Sequence, residues 1–246
     1  MREVVIFQLK GKFAHYRKFY TNSSSLTYGI PPRTALAGCI AGMLGYEKDT
    51  YYDLFSPERA YITVRKMHST KKLMQSVNYM KITSVQHFNG SNGPTQIPIE
   101  MLCSWDEPVV FQVYFSHEDK KLQTELIRRL REKRFVYPPY LGSASFLASA
   151  EFVNVCKAEK RKIETDVCIS TALPLDSLQQ HGIRFTDIHG NLLSIHKENM
   201  LQYFVSERNL GEVKPYVFEE SGRPISVKLV KPYYYLAEQE ENIMFM

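Results

Sequence analysis

The chain has 246 residues, 44% of them hydrophobic and 13% aromatic, with a formal net charge of +5; this length can bury one large core or two small ones. Its four cysteines, Cys39, Cys103, Cys156 and Cys168, stand far apart with no CxxC pair, and its seven histidines form no short-spaced ligand pair, which excludes a zinc knuckle, a disulfide framework and an HExxH metal site. The longest apolar run, residues 35–44, is about half of the ~20 residues that a membrane-spanning helix needs, and the first residues enter a strand pattern and not a signal peptide. A soluble, reduced, cytoplasmic protein is expected, with no membrane contact, no metal and no cofactor.

Residues 4–9, Val-Val-Ile-Phe-Gln-Leu, predict a buried strand. Pro31 and Pro32 end the next loop and start a helix, because a proline at the first helical position gives up no needed hydrogen bond. Leu36, Cys39, Ile40, Met43 and Leu44 then recur at the helical period and form a buried stripe. Gly38 and Gly42 each cost about 1 kcal/mol relative to alanine in a helix, which points to close packing, and Gly45 is placed to cap the end. Further strands are expected at 61–64, 109–115 and 152–156. A second helix, capped by Ser116, carries Leu122, Leu126, Ile127 and Leu130 near one face. Its end carries Arg128, Arg129, Arg131, Lys133 and Arg134, which the helix dipole favours without any ligand. The order strand, helix, strand, strand, helix, strand is the split βαβ plan of ferredoxin-like and RRM-like domains, an α+β fold.

Residues 66–104 form an excursion far longer than an ordinary hairpin loop of roughly 2 to 5 residues. The turn signal Asn89-Gly90-Ser91-Asn92-Gly93-Pro94 lies well inside it, so its flanks read as two arms of a projecting β-hairpin. Those arms carry Lys66, Lys71, Lys72 and Lys81 beside Met67, Met74, Tyr79 and Met80, side chains able to grip a backbone and wedge between bases. From residue 159 onward the texture is one of short strands and turns, with 213–218, 220–223 and 225–230 the clearest, closing on an acidic tail at 238–241. The predicted organisation is an RRM-like domain, 1–158, with the hairpin insertion, and a smaller β-rich domain, 159–246.

Charge is polarised along the chain. Residues 1–46 hold six bases, Arg2, Lys10, Lys12, Arg17, Lys18 and Arg33, against the single acid Glu3. Residues 59–99 hold six more, Arg59, Arg65, Lys66, Lys71, Lys72 and Lys81, and no acid, so the remainder is net acidic. A basic face interleaved with aromatics points to a polyanionic partner, since each phosphate neutralised releases counterions.

The run Gly11-Lys12-Phe13-Ala14, then Tyr28-Gly29-Ile30-Pro31-Pro32-Arg33-Thr34-Ala35-Leu36, then Gly38 and Leu44-Gly45, resembles the N-terminus of the fifth CRISPR-associated (Cas) family of the RAMP superfamily. Tyr137-Pro138-Pro139-Tyr140-Leu141-Gly142 resembles that family's glycine turn before the last strand of its RRM-like domain. The likeness covers the first domain; the C-terminal part matches only in its β character. It implies a subunit of a type I Cascade effector, nearest in its motifs to subtype I-B, that binds the five-prime handle of the crRNA in antiviral defence. Its neighbours would be the backbone subunit, the large subunit and target DNA near the motif-proximal end. The 66–104 hairpin would be the family's thumb, pressing on the start of the guide.

On this reading Arg17, Lys18, Arg33, Arg65, Lys66, Lys71 and Lys72 hold phosphates, and Tyr28 and Tyr140 stack on bases. Gly142 and Ser143 let the handle approach the backbone; Lys12, His15 and Lys81 complete the candidate RNA-binding set. In subtype I-C such proteins cut precursor crRNA with a tyrosine after the first helix and a lysine-histidine pair before the second. Tyr46 and His117 fall at comparable places here, but Ser116 precedes the histidine. Metal-independent cleavage needs a base for the 2′-hydroxyl and a cation or acid for the phosphorane; Lys120 and Lys121 supply it only if the helix start is displaced. The leading expectation is therefore a noncatalytic RNA-binding and assembly subunit, the alternatives being an endoribonuclease or a module for an acidic protein partner.

Overall fold

The computed structural model describes residues 1–21, 24–164 and 166–246. In chain order they form β1 (Arg2–Gly11), β2 (Phe13–Ala14), α1 (Arg33–Leu44), β3 (Ala60–Lys66), β4 (Lys71–Met80), β5 (Pro94–Cys103), β6 (Val109–His117), α2 (Lys120–Glu132) and β7 (Ser149–Arg161). Shorter strands follow: β8 (Val167–Ile169), β9 (Leu173–Pro174), β10 (Leu178–Ile183), β11 (Ile195–Leu201), β12 (Val213–Glu219), β13 (Ile225–Leu229), β14 (Tyr233–Leu236) and β15 (Glu241–Ile243). Among the described residues, no helix is long and apolar enough to cross a membrane.

The main sheet has the order β15-β14-β7-β1-β6-β3 with every pairing antiparallel. β1 lies inside it because successive side chains of a strand point to opposite faces and both of its faces are apolar. Val5, Phe7 and Leu9 pack with Leu36, Ile40 and Met43 of α1 and with Leu122, Leu126 and Leu130 of α2. Val4 and Ile6 pack on the other face with Tyr114, Leu236 and Ile243. The helices thus cover one face of the sheet, and the C-terminal strands fold over part of the other.

Both helix starts differ from expectation. Pro32 is the N-cap of α1 and not its first helical residue: its backbone is extended at φ −67° and ψ 154°, and its carbonyl accepts from Ala35 and Leu36. Gly45 ends α1 at φ 93°, and a Cβ on Gly38 would come within 2.9 Å of the Tyr51 hydroxyl, so the helix is closely approached there. α2 is capped by Asp119, whose carboxylate accepts from the Lys121 and Leu122 amides. Ser116 remains within β6, since that strand pairs with β3 as far as His117.

Between β3 and β6, β4 and β5 pair without a break from Lys71↔Cys103 to Met80↔Pro94. β5 also pairs with β2 through Phe13↔Cys103 and Ala14↔Leu102, so the lower half of this hairpin is tied to the end of β1. β4 is an edge strand, exposed along nearly its whole length.

The C-terminal strands make two small sheets, β10-β13-β8 and β11-β12-β9, around a core of Ile169, Leu173, Val217, Val227 and Tyr233. Met200, Tyr216, Phe218 and Met246 instead join the main core with Phe7 and Leu36. The acidic residues 238–241 are not a free tail: they form the turn into β15, where Glu241 accepts from Arg65 and from the Tyr114 hydroxyl.

Candidate nucleic-acid interface

A cleft of about 760 Å³ opens where the hairpin faces the loop that follows α2. One wall is the pleated face of the hairpin, where Val77, Tyr79, Ile97, Ile99 and Met101 occupy alternate positions of β4 and β5 and so point to one side. The opposite wall is Gly142, Ser143 and Phe146, and His15, Arg17 and Ser25 lie at its base and rim. Four residues proposed from sequence, His15, Arg17, Gly142 and Ser143, therefore meet in one cavity.

His15 is 8% exposed. Its Nδ1 lies 2.7 Å from the Glu100 carbonyl, which can only accept, so Nδ1 carries the proton and Nε2 accepts from the Ser25 hydroxyl at 2.9 Å. Burial lowers the histidine pKa against the opposing pull of the Glu100 carbonyl, and the ring is a neutral, oriented group. Gly142 has φ +88°, and a Cβ there would overlap the His15 carbonyl. Only glycine suits both the left-handed backbone and this approach. The contact is fixed by the His15 amide donating to the Leu141 carbonyl at 3.0 Å. Arg17 is exposed, with one guanidinium N–H donating to the Thr21 carbonyl at 3.2 Å.

The remaining candidates fall into two groups. Lys12, Lys71, Lys81 and Tyr140 are exposed; Lys12 lies over the Phe13 ring and Lys71 over the Trp105 ring, at 5.8 and 5.4 Å from the centroids. Lys72 is also exposed, but its ammonium reaches the Thr27 carbonyl at 3.2 Å and the Glu100 carboxylate at 3.4 Å. The others are turned inward, contrary to their expected roles. Tyr28 is 2% exposed, its hydroxyl donating to the Asn199 carbonyl, so it has no ring face to offer a base. Arg33 is 1% exposed and donates to the carbonyls of Phe55, Ala60 and Gln202; burial lowers its pKa to about 10. Lys18 pairs with Glu198 at 3.2 Å, Arg65 with Glu241 and Lys66 with Glu220. Each of these bases is neutralised by an acid from the C-terminal part.

Tyr46 and His117 both pack against the Phe55 ring. His117 is 1% exposed; Nδ1 accepts from the Asp119 amide at 2.9 Å, which leaves the proton on Nε2, 2.8 Å from the Leu54 carbonyl. Both ring nitrogens are used by the backbone. Lys120 and Lys121 are exposed in the first turn of α2.

Ser25, Phe146 and the inward face of β5 also line the cleft and lie outside the candidate set read from the sequence. The alternation of Ile97, Ile99 and Met101 was a readable signal. Ser25 had none, because its place is set by pairing with Ile99.

No family model and no curated protein matches the chain. Solved structures do. A CRISPR protein from Archaeoglobus fulgidus aligns over 98% of each chain at 12% identity with a TM-score of 0.57. A chain of a CRISPR RNA-guided surveillance complex aligns over 90% of this chain and 91% of that one, at 16% identity and a TM-score of 0.54. A crystal structure of a Cas protein aligns over 89% and 95%, at 15% identity and a TM-score of 0.50. At these identities the likeness is one of fold, and it spans nearly the whole chain, including the C-terminal strands: the protein has the fold of CRISPR-associated proteins.

Proposed function

We propose that this chain is a noncatalytic subunit of a CRISPR RNA-guided effector, of the fifth Cas family and nearest to subtype I-B, that binds the five-prime handle of the crRNA. The observation that carries this reading is the cleft between the hairpin and the Gly142 loop. Its apolar wall suits the faces of unstacked bases, the oriented His15 and Ser25 suit their polar edges, and Arg17 at the rim suits a phosphate. The hairpin would act as the thumb of an RRM-like domain, with Lys71 and Lys81 following the backbone of the strand. The fold it shares with a chain of a CRISPR RNA-guided surveillance complex supports a place in an effector of that kind, where its neighbours would be a backbone subunit, a large subunit and target DNA.

The noncatalytic reading is supported by His117, whose ring nitrogens are both engaged by main-chain groups, leaving no free base to activate a 2′-hydroxyl. The test is to incubate the protein with repeat RNA bearing or lacking its handle and to run native and denaturing gels. Handle-dependent retardation without shorter products is expected. Specific shortened RNA, abolished by His117→Ala, would overturn the noncatalytic reading, and no handle binding even with the backbone subunit present would overturn the RNA reading.

A further inference from the structure

The root of the hairpin is held from outside the hairpin. Residues 67–70 join β3 to β4, and against this joint sits the turn between β12 and β13, residues 219–223. Lys66 is 3% exposed and donates to Glu220; the same carboxylate oxygen lies 3.3 Å from both the Thr70 amide and the Thr70 hydroxyl, each of which donates to it. Arg65 Nε donates to the Gly222 carbonyl at 3.1 Å. Gly222 has φ +79°, and a Cβ there would overlap the Lys66 carbonyl, so backbone touches backbone. The turn is itself pre-shaped, because the Glu219 carboxylate accepts from the Ser221 amide and hydroxyl at 2.7 Å each and from the Arg223 amide at 3.0 Å. None of these residues lines the cleft.

We infer that the 219–223 turn is a brace that fixes the direction in which the hairpin leaves the sheet, and with it the width of the cleft. Glu220 and Gly222 are positioning residues that never touch RNA. A two-stranded arm exposed along nearly all of β4 has few buried contacts of its own beyond its root and a low local stability. Its direction is then set where it is rooted: on the β5 side by β2 and by Ser25, which pairs with Ile99, and on the β4 side by the 219–223 turn. The Lys66–Glu220 pair suits this task, since parting it would strand a buried ammonium. The C-terminal part thereby acquires a role in RNA binding without contacting the strand. The RNA arm of this inference rests on the proposed function above; the hairpin arm does not.

The double variant Lys66→Met/Glu220→Gln removes both charges together and leaves no unpaired buried ion. Amide hydrogen exchange in 71–80 and 94–103 is expected to speed up by about tenfold or more while β1 and β6 keep their protection. Handle-RNA affinity is expected to fall about tenfold with the slope of log affinity against log salt unchanged, because no phosphate contact is lost. Hairpin amides that exchange as in the parent would overturn the brace. A loosened hairpin with parental RNA affinity would leave the brace standing and overturn the placing of RNA in the cleft. The unaltered protein gives a second measurement that needs no variant to fold: the Thr70, Ser221 and Arg223 amides should open as one unit with common protection. Independent opening of Thr70 would equally sink the brace.

Discussion

Arg17 and Lys18 are neighbours in sequence with opposite fates. Arg17 is exposed at the rim of the cleft, whereas the Lys18 ammonium lies 3.2 Å from Glu198 with both side chains largely covered. Arg17→Ala should weaken handle binding and flatten its salt dependence by about 0.7 in slope, the loss of one single-strand phosphate contact. Lys18→Ala should leave the slope unchanged and lower stability by about 1–3 kcal/mol, because it leaves the largely covered Glu198 carboxylate with the Gly29 amide and without its counter-charge. Anisotropy titrations across salt and urea unfolding separate the two; equal slopes for both variants would refute this division. The sequence could not make it, since the partner of Lys18 lies in β11 and nothing near Lys18 announces it. Arg33 departs from its expected role for a related reason: a basic residue in a loop-to-helix motif looks available in sequence, whereas its guanidinium donates to three carbonyls.

At the scale of elements, periodicity served well wherever a face was continuous. The strand at 109–115, the helical stripe from Leu36 to Leu44 and the glycine end at Gly45 all lie in the corresponding elements. Caps were less legible, because Ser116 and Asp119 are both acceptable cap residues and the choice follows from how far β6 remains paired with β3. The loop after α2 was legible as a glycine turn but not as a wall of the cleft, which depends on its contact with the His15 backbone. Gly142→Ala should destabilise the protein by about 2–4 kcal/mol, from the left-handed backbone and the overlap with the His15 carbonyl together, and should weaken RNA binding in whatever protein remains folded. Gly90→Ala at the hairpin tip shares a positive φ, +80°, but has nothing within 4 Å of the added Cβ, and should cost only about 1 kcal/mol. Urea midpoints that shift equally for the two would show that the His15 contact carries no weight.

Over the whole molecule, the charge polarity read from sequence has a second meaning. The basic N-terminal blocks and the acidic remainder complement each other internally through Lys18–Glu198, Lys66–Glu220 and Arg65–Glu241, and only part of the positive charge is left for a polyanion. The two halves are also joined by Tyr28 to the Asn199 carbonyl, Arg33 to the Gln202 carbonyl and the Met246 amide to the Ile62 carbonyl. A fragment ending at Glu164 should therefore show no cooperative unfolding, while the full chain should melt in one transition seen alike by far-ultraviolet and near-ultraviolet circular dichroism. A folded, cooperative fragment would contradict this shared core. The sequence has no low-complexity linker near residue 159 and so points to parts that pack together, but the texture of short strands beyond it resembles that of a separate domain and does not reveal a shared core.

The return of β14 to the edge of β7 also sets a clock. The two strands of this pair, Tyr233↔Arg161 to Leu236↔Ala158, are separated by all the small sheets, and the Arg65–Glu241 pair closes a loop of 176 residues. Topologies governed by such distant pairings fold in milliseconds to seconds and not in microseconds, and an unpaired strand edge waits in the meantime as a template for other chains. The hours after synthesis matter less than that first interval, when β7 has β1 on one side and nothing yet on the other.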